Sequence, residues 1–334
     1  MTEEIYPAAH RDGAADQYLI TGSTGFIGRR VQAALIRRGD VCRVLLRHGG
    51  GSQAVPVVQG DLADVPALDA ACAGIDCVIH CAGHAHAFAA RSADEARQHW
   101  QINFEGTRNL VEAAGRAGVR RFVFLSSVKA MAEPGEVRAD EDFLGEPDSD
   151  YGRAKRAAET AVLAAAERYG MQAVNLRLSM VYGAGGRGNL ERMGRLVGRG
   201  LFPPLPETGN RRSLVHVDDV VAAILAVTAD PRAAGRTYIV CGPEAPSGRQ
   251  LFDALRAASG LSPCHRECPR GLLQLAAWLG DGWGRIFGRR LPLTGEVLQR
   301  LLGSACYDGS RISREIGWRP TVRLADGLRE MLRK

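Results

Sequence analysis

No stretch of this 334-residue chain approaches the ~20 consecutive apolar residues that cross a bilayer. Nor does an apolar core follow a basic N-terminal start, as it would in an export signal. A spanning or exported protein is therefore not expected, and the cytoplasm is the default location. No run of five or six like charges occurs, and no nucleic-acid-binding motif is present. The formal charge of +6, from 43 Lys+Arg against 37 Asp+Glu, suits a small anionic partner or equally a generic soluble surface. Repeats and low-complexity tracts are also missing. Of the eight cysteines, Cys42, Cys72, Cys77 and Cys81 fall in segments that read as core, which marks them as reduced buried thiols. Cys264 and Cys268 flank His265 but lack a second pair at zinc-ligand spacing, so no metal site is expected.

What is present is a long apolar-polar alternation. Residues 1–16 have no period and read as a loose leader. From Gln17 onward, strands at 18–21, 41–47, 55–59, 77–80, 121–126 and 173–178 are separated by helices at 26–38, 65–72, 93–117 and 151–169. That order predicts an α/β fold, a Rossmann-type doubly wound parallel sheet over 17–180. After about residue 181 the texture turns to Gly- and Pro-rich loops with shorter helices, a smaller substrate lobe over 181–334. Segments near 215–242 are expected to return to the first domain.

Thr21-Gly22-Ser23-Thr24-Gly25-Phe26-Ile27-Gly28 follows a strand and opens a helix. Glycines there allow a pyrophosphate to approach backbone N–H groups at a helix N-terminus. The second strand ends Leu45-Leu46-Arg47-His48, without the carboxylate that would hold the ribose of NAD. Arg47 can pair with an extra phosphate, so NADP(H) is favoured over NAD(H). Asp61, after the third strand, can accept from an adenine amino group or cap the next turn.

Tyr151 and Lys155 stand four apart at the start of a helical pattern, so both project from one face. A tyrosine near its ordinary ~10 is a poor acid or base at neutral pH, and an adjacent ammonium favours the phenolate. That spacing alone is common on helix surfaces. It gains meaning from the strand at 122–127, which delivers Ser126 and Ser127 to its carboxyl end.

Taken in order, these motifs resemble an extended short-chain dehydrogenase/reductase of the nucleotide-sugar epimerase/dehydratase/reductase family. The resemblance runs over about residues 17–332. It is also carried by Gly60-Asp61-Leu62, His80-Cys81-Ala82-Gly83, Asn103 with Gly106-Thr107, and Leu125-Ser126-Ser127. Arg177, Val181-Tyr182-Gly183, His216-Val217-Asp218-Asp219-Val220 and Ile316-Gly317-Trp318-Arg319-Pro320 continue it. It implies that Ser127 bonds the reacting oxygen, Tyr151 transfers the proton and Lys155 positions the ribose. Asp61, Leu62, Ala82, Gly83 and Asn103 would line the cofactor, and Asn189 and Arg212 would hold a nucleotide diphosphate, for which a guanidinium is well shaped. The helices at 93–117 and from 151 would form a homodimer bundle.

Departures from the family pattern narrow the reaction. Family 4,6-dehydratases carry an Asp-Glu pair where this chain has Val128-Lys129, which argues against dehydration. Together with Arg47, this favours an NADP(H)-dependent reductase of a UDP-4-keto-sugar serving surface-polysaccharide precursors. A UDP-sugar 4-epimerase is the alternative, followed by a reductase of a non-sugar ketone and a non-catalytic dinucleotide sensor. His84 and His86 lie at the edge where a sugar would enter, as contacts or as ordinary loop residues. The segment 272–287, with Trp278, Trp283, Arg285 and the following Arg289 and Arg290, reads as lobe packing or as a membrane-surface helix.

Overall fold

The computed structural model describes residues 16–48, 55–84, 93–186, 188–287 and 295–333, with the side chains at 283–287, 296 and 300 excepted. The leader up to residue 15, His86, Arg289 and Arg290 lie outside the described residues, as do the side chains of Trp283 and Arg285. The chain runs β1 (Gln17–Thr21), α1 (Phe26–Arg37), β2 (Val41–Leu46), β3 (Val57–Gln59), α2 (Val65–Cys72), β4 (Cys77–His80), α3 (Ala93–His99), α4 (Gly106–Arg116) and β5 (Arg121–Ser127). It continues β6 (Arg138–Ala139), α5 (Asp150–Tyr169), β7 (Gln172–Leu178), β8 (Met180–Tyr182), α6 (Asn189–Gly198), β9 (Leu214–His216), α7 (Val217–Ala229), β10 (Arg236–Val240) and α8 (Gly248–Ala258). Last come α9 (Arg270–Phe287), α10 (Gly295–Leu302), β11 (Cys306–Tyr307), α11 (Ser310–Ile316) and α12 (Leu324–Leu332).

Seven strands form one sheet in the order β10-β7-β5-β4-β1-β2-β3, and every neighbouring pair is parallel. Because helices cover both faces, the strands are apolar on both sides, as parallel sheets require. Alternation within β5 shows the division. Phe122 and Phe124 pack with Leu68 of α2, Leu110 of α4 and Val162 of α5, while Val123 and Leu125 pack with Leu35 of α1 and Ile224 of α7. Each fully buried side chain of this size contributes about 1.5–3 kcal/mol. The chain leaves β1 toward β2 and β3, then returns to β4 on the other side of β1. Strand order therefore reverses between β1 and β4, and a crevice opens at their carboxyl ends.

One expected element differs. The helix read over 93–117 is interrupted by a π-helical turn, Trp100–Glu105, between α3 and α4. The wider turn accommodates an extra residue, and Asn103 within it is fully buried. A hydrophobic period cannot register such an insertion.

The remaining chain builds a second core beside the sheet. Tyr182, Leu190, Val197, Phe252, Leu255 and Leu328 meet there. Two short parallel pairs, β8 with β9 and β6 with β11, join the segments. α9 contributes Leu273 and Ala277 to this core. Arg30 of α1 binds the lobe directly, donating to Asp218 at 2.6 Å, the Ala184 carbonyl at 2.8 Å and Glu330 of α12 at 3.2 Å. Asp218, Glu330 and His216 form a group of potential metal donors, but that guanidinium already joins the two carboxylates.

Candidate active site

The first wall of the crevice is the glycine turn. Gly22 has φ +70°, and a Cβ there would lie 2.6 Å from the Ala82 backbone nitrogen, so only glycine lets the β1 and β4 turns touch. Gly25 caps α1 with no side-chain hydrogen bond, and no acid stands in the helix's first turn. The N–H groups of Phe26, Ile27 and Gly28 are thus left for an anion, while the Ile27 side chain packs against the core. The resulting cavity, about 260 Å³, is lined by Gly22, Thr24, Gly25, Arg47, Asp61, Leu62, Ala82, Gly83 and His84, among others. A pyrophosphate fits that uncapped helix end, and the residues present suit a dinucleotide. Asp61 accepts the Ala63 N–H at 3.1 Å, so it caps its turn while facing the cavity. Arg47 is exposed at the rim.

Beneath this wall His80 is held at both nitrogens, by Thr21 Oγ1 at 2.6 Å and Thr107 Oγ1 at 2.9 Å. Thr107 spends its proton on the Asn103 carbonyl at 2.8 Å, so His80 Nε2 is the donor and Nδ1 accepts from Thr21. Burial, with the nearby Lys155 charge, pushes the imidazole down to about 3. It is a neutral tie between β1, β4 and α4.

The second wall is α5. Ser149 caps it by accepting the Gly152 N–H at 3.1 Å, and Gly170 ends it at φ +66°. A Cβ at Gly152 would lie 2.1 Å from the Lys129 carbonyl oxygen, which presses the first turn of α5 onto the segment following β5. That contact brings Tyr151 to Ser127. Ser127 Oγ accepts the Lys129 N–H at 3.2 Å and faces the Tyr151 phenol. The phenol is not lowered by the neighbouring ammonium, as its spacing suggested: burial raises it above its ordinary value, and the Ser127 hydroxyl only partly offsets the rise.

Lys155 is 4% exposed. Its Nζ donates to the Leu125 carbonyl at 2.8 Å and lies 4.5 Å from the centre of the Phe124 ring. Burial brings the ammonium down to about 8, against the opposing pull of Glu159 and Cys81. One turn further, Glu159 receives Ser126 Oγ at 2.6 Å and the Arg177 Nε and NH2 groups at 2.9 and 2.7 Å. The two serines of β5 therefore do different work: Ser127 reaches the phenol, while Ser126 belongs to a buried ion pair.

The sequence reading missed two members of this cluster, Glu159 and His99. Glu159 continues the four-residue spacing of Tyr151 and Lys155 and could have been read from it. His99 stands four before Asn103. Its ring meets Tyr151 edge-on with centroids 5.6 Å apart and lies 4.9 Å from the His84 ring. Asn103 binds both the His84 N–H at 2.8 Å and its carbonyl at 2.9 Å, so it supports the cavity wall from behind. His80 stood among the matched motif residues, but nothing in its spacing identifies Thr21 and Thr107 as its partners.

The lobe residues are placed differently. Asn189 is exposed at the first turn of α6. Arg212 lies in an extended segment that bridges to Ala305. Burial holds the Tyr307 hydroxyl up at about 12, with Arg212 lowering it and Asp148 raising it. A cavity of about 460 Å³ near β6 and β11 is lined by Arg138 and Arg211 but also by Glu136 and Glu244, a mixture that selects no anion. After β5, Val128 is buried and Lys129 pairs with Glu133.

A parallel sheet with a dinucleotide crevice at its switch point, facing a Ser–Tyr–Lys cluster, defines an oxidoreductase of the extended short-chain type. The chain belongs to the NAD dependent epimerase/dehydratase family, which it matches over residues 18–241. It is 29% identical to a UDP-glucose 4-epimerase of Vibrio cholerae over 93% of each chain. It is also 29% identical to a 3 beta-hydroxysteroid dehydrogenase/Delta 5-->4-isomerase of Mycobacterium tuberculosis, over 94% of this chain and 89% of that one. Among solved structures, the Thermus thermophilus UDP-glucose 4-epimerase complex with NAD superposes with a TM-score of 0.70 at 25% identity, over 94% and 97% of the two chains.

Proposed function

We propose that the protein is an NADP(H)-dependent reductase of a UDP-linked 4-keto-sugar, with Ser127, Tyr151 and Lys155 as its catalytic residues. The observation that carries this reading is the placement of the Tyr151 phenol facing Ser127, beside the buried Lys155 ammonium that lies against Gly83 of the β1/β4 crevice. A dinucleotide held by the turn at Gly22–Gly28, with Arg47 at its outer end, supplies hydride when bound. The chain's own part is proton transfer. Its raised phenol stays protonated at neutral pH, so Tyr151 is an acid ready to give its proton to a substrate oxygen that Ser127 orients. The Lys155 ammonium then stabilises the phenolate left behind, and its remaining N–H groups are available to ribose hydroxyls.

Asn189 and Arg212 are assigned to the substrate diphosphate, and His84 to the sugar. Buried Val128 and the ion-paired Lys129 leave no acid pair for dehydration. The enzyme works in the cytoplasm as a homodimer through α3, α4 and α5, where the tilted rings of Trp100 and Phe104 in the π-helical turn lie 4.6 Å apart beside Arg108. Two other readings have specific support: 4-epimerisation from the Vibrio relative, and reduction of an apolar ketone from the steroid dehydrogenase.

The test is incubation with UDP-sugars, UDP-4-keto-sugars and a steroid ketone, with NADPH, NADH or neither, followed by absorbance and product NMR. Consumption of NADPH with a 4-keto-sugar is expected. Conversion of a UDP-sugar without added cofactor would move the assignment to epimerisation. Turnover of the steroid ketone alone would remove the sugar.

A further inference from the structure

α9 has two unlike apolar faces. Leu273 and Ala277 are each 2% exposed and belong to the lobe core. On the rest of the surface of the same helix, Leu272, Leu275, Trp278 and Leu279 are 58, 52, 70 and 56% exposed. Other large exposed hydrophobics, such as Ile36, Val137, Leu144 and Leu201, are scattered singly along the chain, which is ordinary for a protein surface. Four within eight consecutive residues of one helix form a patch, and patches mark contact surfaces.

The charges around the patch indicate what it contacts. Arg266 and Arg270, at the helix's N-terminal end, are exposed and have no carboxylate partner among the described residues. The acids nearby are engaged: Glu267 faces Arg249 at 3.8 Å, and Asp281 accepts the Gly295 N–H at 3.0 Å. In sequence, Arg285, Arg289 and Arg290 follow at the other end. Among the described residues, the N-terminal end of the apolar stripe therefore carries cations, while the nearby anions are few and occupied. A protein partner would need a matching acidic groove of its own, whereas an anionic lipid leaflet supplies an apolar layer and phosphates at the spacing any such helix meets. No described helix is long and apolar enough to cross a membrane, but the 18 residues of α9 extend about 27 Å, enough to lie along one.

We propose that α9 docks this protein flat on an anionic phospholipid surface. Leu272, Leu275 and Leu279 enter below the headgroups, Trp278 sits at the interface where its amphipathic ring is favoured, and Arg266 and Arg270 pair with lipid phosphates. This surface is independent of the substrate assigned above.

The test is co-sedimentation of the full-length protein with vesicles of phosphatidylcholine alone and with one third phosphatidylglycerol, at low and high salt. Binding should require phosphatidylglycerol, weaken with salt, and fall at least about tenfold in Leu275→Glu/Trp278→Glu. Arg266→Glu/Arg270→Glu should lose the phosphatidylglycerol preference. Because all four substituted side chains are exposed, the thermal melt and dinucleotide binding of both variants should match the parent, and this is measured alongside. Absence of vesicle binding by the parent overturns the proposal, as does binding that the Leu275→Glu/Trp278→Glu variant retains. Analytical ultracentrifugation covers the remaining occupant. A parent that is dimeric and does not bind vesicles, with a variant that is monomeric, would assign the stripe to a second copy of this chain and overturn the lipid assignment.

Discussion

The crevice and the lobe opposite it are held to different standards of rigidity. Lys155 is fixed by a carbonyl, an aromatic face and a buried carboxylate one turn away, and Ser127 is fixed by the Lys129 N–H. Asn189, by contrast, stands exposed at a helix start, and Arg212 sits in an extended strip joined to Ala305. Groups that move a proton, the role proposed for the first set, lose about 10²-fold in rate when misplaced by about 1 Å. Groups that hold a variable ligand, the role proposed for the second set, gain from being on separately adjustable segments. Relatives named for a nucleotide sugar and for a steroid match this chain over almost its full length, as expected if the chemistry is kept on one side and the ligand is chosen on the other.

The sharpest way to break that comparison is Tyr151→Phe. Losing the phenol should cut turnover about 10³-fold, while the dinucleotide dissociation constant measured by fluorescence titration changes little. A small loss of turnover would mean that proton transfer is not placed at Tyr151. Next in size is Glu159→Ala, which leaves the Arg177 guanidinium buried without its anion. Glu159 and Arg177 are 3 and 8% exposed, so destabilisation of about 3–5 kcal/mol is expected in urea unfolding. Glu159→Met/Arg177→Met should recover most of it, because the pair goes together and no lone charge remains.

The sheet was legible because its signal is local and repeated. Apolar runs, such as Cys77–His80 with every residue buried, bounded by glycine turns, specify parallel strands whatever their partners. The site was legible in part. Tyr151 and Lys155 are one helical turn apart, so spacing alone puts them on a face. Their closeness to Ser127 depends on Gly152 pressing against Lys129, a contact between segments that no period encodes. Asn103 was visible as a residue ahead of a helix, but its inward direction comes from the extra residue of the π-helical turn. α9 was ambiguous for a physical reason: its apolar residues cover more than one face, and only the packed structure shows which stripe the lobe takes and which it leaves open.

A third measurement sharpens the comparison through pH. His80 is neutral in the fold and takes a proton only near 3, whereas an unfolded histidine does so near ~6.5. Between those values the unfolded chain binds more protons, so stability is fully present above the upper limit and falls as pH drops through the window. At about 1.4 kcal/mol per unit, some 3 kcal/mol should be lost by ~pH 4. His80→Gln should flatten that dependence, and an unchanged slope would show that His80 is not the buried neutral tie between β1 and β4.

The smallest effect is expected in the lobe. Ser247 caps α8 by accepting the Gln250 N–H at 3.1 Å, while the Gln250 side chain accepts the Ser247 N–H at 2.9 Å. Its hydroxyl also donates to Glu207 at 2.7 Å, and the residue is 3% exposed. Ser247→Ala removes one cap and one charge-assisted bond, at a cost of about 1–2 kcal/mol. That cost should appear in the unfolding midpoint and leave the rate constant for turnover intact, because α8 packs against α6 and α12 and bears on substrate only through the lobe. If instead turnover fell as far as stability, the lobe would be positioning the reacting groups, and the division between a rigid chemical wall and an adjustable ligand wall would not hold.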